Sequence, residues 1–458
     1  MQEALLQPLR RHAAPFNEFL AALFRAFQTA GISTCVLRNY EGFPSENVVG
    51  DIDFLISASQ LPRAVHTLQS LDGVRIVGFT EPSYAVRCMF VEGVSLGPKT
   101  RAIQVDFYFR LAWKGVPYLD VDTVLQSAVL HQAGDLIFRV PAPVHEAIIS
   151  LFSSLLVSTY LKEKYFPKVQ RTFAANKSEV ISALTPQFAL MPATQMVDAV
   201  IDADRQRIMA CRMPLCWSLA LRSLLRNPFR TAVWIARHYR QAVVFRLTPR
   251  NLETVCILDP DGYDYAIIIE KLLPILTAVA KYSEEFTLLP RRKSPPSSRE
   301  AGAINPSRMS DSVGESVSLT KIAQSVVVDW VEQFTVKDDL RLRLCGICYL
   351  DFPIQSGTGE ATIPMWFARL VAKLASPADL WIYLEPGVET MQSRNLDLNR
   401  AEAAGRLDVY RSFVKSVRSR HAILNANKSL ADLTEDAYAV IVEALAARTR
   451  KVLDSRFQ

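Results

Sequence analysis

Hydrophobic residues in the first third of the chain switch between helical spacing and short apolar runs. The helical spacing predicts helices over 17–29 and 61–71, and the apolar runs predict strands at 35–37, 52–56 and 102–109. Strands and helices that alternate in this way are typical of a small α/β domain, which we expect to end near residue 130.

Further along the chain the pattern changes twice. Helical periodicity dominates residues 131–250, as in HEAIISLFSSLLVSTYLKEKY, and predicts a helical middle domain. From residue 251 to 458 strands and helices alternate again, beginning with the apolar run TVCIL, and predict a parallel α/β sheet. Residues 289–318 are rich in Pro, Ser, Gly and charge, and we expect a mobile loop that interrupts this last domain.

Composition sets the class of protein. With 458 residues, 50% hydrophobic and 21% charged, the chain is expected to be a multidomain globular protein, which excludes the disordered and collagen-like classes. The most apolar stretch, 265–282, carries Glu270 and Lys271, so no membrane-spanning helix is expected. The first residues lack the order of a secretory signal, and seven cysteines do not indicate a disulfide framework. We therefore expect a cytoplasmic protein.

Two local features leave alternatives open. The pair in CGIC, Cys345 and Cys348, is either half of a redox or metal site or, as we favour, two small apolar residues on a buried strand. Between Arg205 and Leu252 there are ten arginines, several aromatic residues and no Asp or Glu. This composition predicts a basic amphipathic helix on an anionic membrane surface or a polyanion, with a solvated basic face as the alternative. The sequence around these arginines contains no recognised nucleic-acid-binding motif, which disfavours nucleic acid as a partner.

Three carboxylates are the strongest chemical signal. Asp51 and Asp53 lie two residues apart on a predicted strand, so their side chains point to the same face. Asp106 lies in the apolar strand IQVDFYF, where an unpaired carboxylate would be costly to bury. Such a trio at neighbouring strands is the arrangement that holds Mg²⁺ or Mn²⁺ for attack on a nucleoside triphosphate. The alternative is a set of solvated acidic residues.

The stretches VLRNYEGFPSENVVGDIDFLIS and IQVDFYFRLAWKGVPYLDVDTVL resemble nucleotidyltransferase-like proteins of bacterial polysaccharide biosynthesis, a branch of the polymerase-beta-like superfamily. The resemblance covers about residues 15–170 and implies that Asp51, Asp53 and Asp106 bind the metals and perform catalysis. Arg38 and Asn39 stand near the place of the family's Gly-Ser pair, so the phosphate grip must differ or be absent. Arg38 either contacts phosphate or pairs with Asp51 or Glu41.

The residues that follow the third carboxylate carry a weaker signal. Lys114 is a candidate nucleotide contact, and together with its neighbours it could form a wall for the acceptor: Arg110, Trp113 and Tyr118.

The segment TVCILDPDGYDYAIIIEKLL resembles the P-loop of thymidylate-kinase-like domains, where the loop reads approximately GPDGSGKST. Gly262 is retained, but Asp259 replaces the first glycine, and Tyr265 and Ala266 replace the Lys and Ser that contact phosphates and Mg²⁺. The resemblance covers about residues 252–446 and implies a degenerate kinase domain without kinase activity, retained as a scaffold.

Together, the two resemblances imply a Mg²⁺-dependent nucleotidyltransferase-like protein of bacterial exopolysaccharide or surface-glycan synthesis. In this hypothesis an acceptor hydroxyl or phosphate attacks the α-phosphate of a nucleoside triphosphate. The alternative is a non-catalytic adaptor, peripheral at the inner face of the membrane, that docks glycan-synthesis or export proteins.

Overall fold

The computed structural model describes residues 14–44, 50–83, 86–95, 101–247, 252–260, 265–276, 282–286, 341–345, 378–394, 398–417 and 419–457. They form a mixed α/β protein of two compact units. The N-terminal unit lies within residues 12–247 and includes the chain's last residues from 452 onward. The C-terminal unit lies within residues 248–451. The predicted loop 289–318 and Cys348 lie outside the described residues.

The first part of the N-terminal unit is built on a mixed sheet, as the alternation of apolar runs and helical spacing predicts. Its strands and helices are β1 (Ala14–Pro15), α1 (Phe16–Thr29), β2 (Thr34–Val36), β3 (Asp51–Ile56), α2 (Leu61–Gln69), β4 (Arg75–Ser83), β5 (Val86–Glu92), β6 (Val94–Ser95), β7 (Ala102–Tyr108), β8 (Leu111–Trp113), β9 (Val116–Leu119), α3 (Val121–Ser127), β10 (Val129–Ala133) and β11 (Leu136–Val140).

The main sheet has the strand order β2-β3-β7-β5-β4. Strands β3 and β7 are parallel, and the other neighbouring pairs are antiparallel. Helix α1 covers the sheet with an apolar face, where Phe27 packs edge-to-face on Phe54 and Phe54 stacks on Phe107. Because β3 is central, nearly all of its side chains are buried.

Helices make up the second part of the unit, as predicted. They are α4 (Pro143–Phe152), a π-helix (Ser153–Ser158), α5 (Phe166–Ala175), α6 (Lys177–Leu184), α7 (Leu190–Ile201), α8 (Arg205–Arg226) and α9 (Pro228–Leu247). The helical prediction over 145–165 was too long at its end, because the π-helix stops at Thr159, which has a left-handed φ of 64°. Residue 130, the predicted end of the first domain, lies within β10, and the division at that point stays a prediction.

The described strands of the C-terminal unit form the parallel sheet that the sequence predicts. Its elements are β12 (Leu252–Leu258), α10 (Tyr265–Leu276), β13 (Tyr282–Phe286), β14 (Arg341–Cys345), β15 (Leu380–Glu385), α11 (Val388–Arg394), α12 (Arg400–Ser416), β16 (Arg420–Asn425) and α13 (Leu430–Phe457). The residues of α13 from 452 onward belong to the N-terminal unit. The strand order is β13-β14-β12-β15-β16, and every neighbouring pair is parallel. Cys345 is buried on β14.

One described helix satisfies the length and composition expected of a membrane span. This is α8, whose most apolar 18-residue stretch has a mean hydropathy of 1.3. About a third of that stretch, 33%, is buried inside the protein. The stretch 265–282 forms only the twelve-residue helix α10 within the described part of the chain. Helix α8 also contributes to the core of the middle helices, as a core helix of a globular protein does.

Candidate functional site

The strand register brings the three predicted carboxylates together. Asp51 and Asp53 project from the first half of β3, and in the parallel pairing of β3 with β7 Asp53 lies directly opposite Asp106. One ligand oxygen of each carboxylate lies within 4.8 Å of the corresponding oxygens of the other two. Asp53 and Asp106 are buried, and Asp51 is partly exposed at the start of the strand. The predicted triad is therefore a compact acidic cluster.

The chemistry of this cluster fits a hard divalent cation. All three donors are carboxylates, and Mg²⁺ and Mn²⁺ favour oxygen ligands. Oδ1 of Asp53 is buried and has no hydrogen-bond partner among the described residues. A buried carboxylate oxygen without a partner is costly, and a bound cation would remove that cost. Oδ1 of Asp106 accepts a hydrogen bond of 2.7 Å from Nε2 of Gln104, which orients this carboxylate.

Arg38 pairs with the central carboxylate. Its Nε donates to Oδ2 of Asp53, and one of its terminal nitrogens donates to the hydroxyl of Tyr108 at 3.3 Å. Burial lowers the pKa of Arg38, but the charge of Asp53, the hydrogen bond to Asp53 and the neighbouring Tyr108 and Tyr165 together outweigh burial, and the net pKa lies above its ordinary value. The sequence left open a pair with Asp51 or Glu41. The structure shows an ion pair with Asp53, the charge of Arg38 also acts on Asp51, and Glu41 contacts Lys168 at 3.3 Å.

The surroundings of Asp51 favour the neutral form of its carboxyl group. Burial and the neighbouring charge of Asp53 raise the pKa of Asp51 from 3.8 to about 6. Arg38, Lys164 and Lys162 lower it, but by less. A cation bound at the cluster would act in the same direction as these three residues and favour the charged carboxylate.

Lys162 and Lys164 belong to the site but were missed from the sequence. The helical prediction for residues 145–165 placed both on a helix, whereas the helix ends at Thr159 and the charges of both lysines act on Asp51. Burial lowers the pKa of Lys162, and the positive charges of Arg38 and Lys164 lower it further. The signal available in the sequence was the pair of lysines in LKEKY directly after a long apolar stretch.

Asn39 connects this lysine segment to the loop that carries Arg38. Its side-chain oxygen accepts hydrogen bonds from Nζ of Lys164 at 3.1 Å and from the hydroxyl of Tyr165 at 2.9 Å. The backbone of Asn39 has a left-handed φ of 58°, a conformation that Asn tolerates better than most residues. The contacts of Asn39 thus position a lysine, and direct contact with a nucleotide stays a prediction.

The other predicted contacts lie on and beside the β8–β9 hairpin. Nζ of Lys114 lies 5.1 Å from the ring centroid of Trp113, and Arg110 lies over the ring of Trp234 at 5.0 Å. Tyr118 is buried in the core of the middle helices. These contacts join the hairpin to the helices; the roles of Lys114 in nucleotide binding and of its neighbours in an acceptor wall stay predictions.

The segment that resembles a P-loop is described at its two ends. Oδ2 of Asp259 accepts a hydrogen bond of 3.1 Å from the backbone N–H of Tyr265, the first residue of α10. The carboxylate therefore contacts the first amide of α10, and the loss of a phosphate-binding loop at this place stays a prediction. Ala266 follows in the first turn of α10, and Gly262 lies outside the described residues.

No family model and no curated protein sequence matches this chain. Two solved structures from Helicobacter pylori show distant similarity. The protein JHP933 has 10% identity and a TM-score of 0.21, with 50% of this chain and 94% of that chain covered. A "putative nucleotidyltransferase" has 8% identity and a TM-score of 0.19, with 49% and 94% covered. Because these scores are low, we base the functional argument on the acidic cluster itself.

Proposed function

We propose that this chain is a metal-dependent nucleotidyltransferase whose site is formed by Asp51, Asp53 and Asp106. The observation that carries the proposal is the acidic cluster on β3 and β7, in which three carboxylate oxygens lie within 4.8 Å of one another. The buried Oδ1 of Asp53 supports it, since a cation would satisfy that oxygen.

The three carboxylates would hold one or two Mg²⁺ or Mn²⁺ ions, which neutralise charge on the transferring phosphate and activate the acceptor when bound. Arg38 orients Asp53, and Gln104 orients Asp106. The acceptor oxygen forms a bond to the α-phosphorus of a nucleoside triphosphate, the bond from that phosphorus to pyrophosphate breaks, and the acceptor proton passes to a carboxylate or to water. Among the carboxylates Asp106 is the one we expect to act as the base.

Lys162 and Lys164 supply the positive charge that a triphosphate requires. Both interact electrostatically with the carboxylates, and two neighbouring positive charges attract an anion more strongly than either does alone. They take the place of the Gly-Ser phosphate grip that the resemblance leads one to expect and that the sequence lacks.

The acceptor class rests on the resemblance alone. We propose a hydroxyl or phosphate of a sugar phosphate or of a lipid-linked or polymeric surface glycan, and a cytoplasmic location at the inner face of the membrane. The C-terminal unit would then serve as a scaffold rather than as a kinase, which is supported by the Asp259 carboxylate at the start of α10.

One observation favours the adaptor as a second candidate function. Arg38 already neutralises Asp53, so the cluster is partly compensated without a cation. In a non-catalytic adaptor this ion pair would be structural, and the chain would dock glycan-synthesis or export proteins without turning over a nucleotide.

The decisive experiment compares the wild type with Asp53→Asn in thermal unfolding, with Mn²⁺ or Mg²⁺ and each nucleoside triphosphate. A ligand at 100 times its Kd stabilises the folded state by about 2.7 kcal/mol. We expect a metal-dependent stabilisation that Asp53→Asn removes and that Asp135→Asn, an exposed carboxylate of the same unit, retains.

Radiolabel transfer from an α-labelled nucleoside triphosphate to a glycan acceptor, with release of pyrophosphate, then tests catalysis. If neither metal nor any nucleotide shifts the unfolding of the wild type, the nucleotidyltransferase proposal is wrong and the adaptor takes its place.

A further inference from the structure

Helix α8 has two apolar faces on opposite sides. Ile208, Cys211, Leu215 and Leu219 are buried in the core of the middle helices. A second row of large apolar residues repeats every four positions and is exposed: Met209, Met213, Trp217, Leu221 and Leu225. We call this row the α8 ridge. A helix with one core-facing stripe normally carries polar residues on its other face, so the ridge needs a separate explanation.

The ridge protrudes most toward its C-terminal end. Trp217 is 70% exposed, Leu225 is 75% exposed, and Phe229, at the start of α9, is 87% exposed. A contiguous set of exposed large apolar side chains marks a surface that is covered by a partner or a membrane. Large apolar side chains exposed on the outer part of a helix suit insertion into a soft surface.

The arginines around the ridge fall into two groups. Arg212 donates to the carbonyl of Leu155 at 2.9 Å and Arg222 donates to the carbonyl of Phe188, so both side chains reach inward to backbone groups. Arg205 and Arg207, at the start of α8, are paired with Glu163 and Asp202 at 2.6 and 2.9 Å. These four arginines therefore do not form the phosphate-gripping face that their density in the sequence suggests.

The second group keeps its positive charge near Phe229. Arg226 donates to the carbonyl of Pro186, and Arg230 lies over the ring of Trp234 at 4.7 Å, so both contacts leave the charge uncompensated. Arg240 is exposed on α9. The sequence has no Asp or Glu between Arg205 and Leu252, so neither α8 nor α9 carries an acidic side chain that could offset these charges.

We propose that the α8 ridge inserts into the headgroup region of an anionic lipid bilayer. Trp, Phe, Leu and Met enter the boundary between headgroups and acyl chains, and the neighbouring arginines are attracted to acidic phospholipids. The charge around Phe229 favours this occupant over a neutral apolar partner. The opposite face of α8 is part of the protein core, so the helix lies on the membrane and does not cross it. This proposal is independent of the proposed catalytic function.

The test is flotation of the full-length protein with phosphatidylcholine vesicles, with and without phosphatidylserine, at low and high salt. We expect binding that requires phosphatidylserine and weakens with salt. The triple variant Trp217→Ser, Leu225→Ser and Phe229→Ser should reduce binding by at least about tenfold, because each substitution removes a large apolar side chain from the interface. Arg230→Gln with Arg240→Gln should reduce the dependence on phosphatidylserine.

A matched control is available in the same unit. Leu130 and Ile137, on the β10–β11 hairpin, are also large, apolar and exposed, at 75% and 62%. Leu130→Ser with Ile137→Ser should leave binding unchanged, and circular dichroism should show the wild-type fold for all variants. The proposal is overturned if wild type does not bind at low salt, if the ridge and control variants lose binding equally, or if light scattering shows a ridge-dependent dimer that does not bind vesicles.

Discussion

Asp53 and Asp106 lie directly opposite each other on two parallel strands, β3 and β7, and both carboxylates are buried. Two like charges at paired positions of a sheet repel each other. Arg38 compensates one of them through Oδ2 of Asp53. A cation bound between the carboxylates would reduce this repulsion, and the repulsion has measurable consequences for stability.

Replacing one member of this pair should stabilise the metal-free protein. Asp106→Asn removes the repulsion but keeps an oxygen that can accept the hydrogen bond from Gln104. We expect a gain in the free energy of unfolding on the order of 1 kcal/mol in chelator, measured by urea denaturation. Mg²⁺ should stabilise the wild type and not this variant. A loss of stability in chelator would contradict the repulsion; Asp135→Asn serves as the exposed control.

Removing Arg38, whose positive charge compensates Asp53, should destabilise the protein. Arg38→Met leaves the Asp53 carboxylate buried without its ionic partner, and breaking a buried pair on one side costs about 3–5 kcal/mol. Urea denaturation in chelator measures the loss, and added Mg²⁺ should restore part of it because the metal compensates the same carboxylate. Arg63→Met, which removes an exposed arginine bonded to the carbonyl of Ala30, should cost far less. Equal effects would show that the Arg38 pair is unimportant.

The pH dependence of stability should report on Asp51. Its pKa is about 6 in the folded protein and 3.8 ordinarily, so the folded state binds this proton more tightly than the unfolded state. The contribution of Asp51 to the free energy of unfolding is therefore fully present below about pH 3.8 and is lost as the pH rises toward 6. In chelator, the unfolding temperature of Asp51→Asn should exceed that of the wild type above pH 6, and the difference should shrink toward pH 4. A difference that grows as pH falls would refute the raised pKa.

The two lysines should separate nucleotide binding from metal binding. Lys162→Met and Lys164→Met remove charge that interacts with the site but leave the three carboxylates in place. We expect each variant to weaken binding of a nucleoside triphosphate by about tenfold, with Mn²⁺ affinity in the absence of nucleotide changed much less. Calorimetry with metal alone and with metal plus nucleotide measures both. Lys177→Met, at a surface pair with Asp198, should leave both affinities unchanged.

The contact between the β8–β9 hairpin and α9 should depend on Gly115. This glycine has a φ of +86°, and a Cβ at this position would lie 2.5 Å from the backbone oxygen of Trp234. Gly31 has a similar φ of +64° but nothing within 4 Å of a Cβ. Gly31→Ala should therefore cost only the backbone strain of about 1–2 kcal/mol, whereas Gly115→Ala should cost more and displace α9. Thermal unfolding measures the loss of stability in the two variants. Equal losses would contradict the close approach of Gly115 to the backbone of Trp234.

The sequence by itself determined the elements that depend on local pattern. The apolar run at 52–56 predicted the strand that became β3, and its period of two placed Asp51 and Asp53 on one face. Alternating strands and helices also predicted the parallel order of the described C-terminal sheet. These features depend on neighbours within a few residues, which a linear sequence displays directly.

Contacts between distant parts of the chain were decided only by the tertiary structure. The register of β3 against β7 brought Asp106 opposite Asp53, and packing of the middle helices brought Lys162 and Lys164 toward the carboxylates. The partners of Arg38 and Arg212 could not be predicted from the sequence either, because the long side chain of an arginine reaches carboxylates or carbonyls that are far away in sequence. The many arginines in residues 205–252 therefore predicted a basic surface, while the fold decided which of these arginines are exposed and which bind groups of the protein itself.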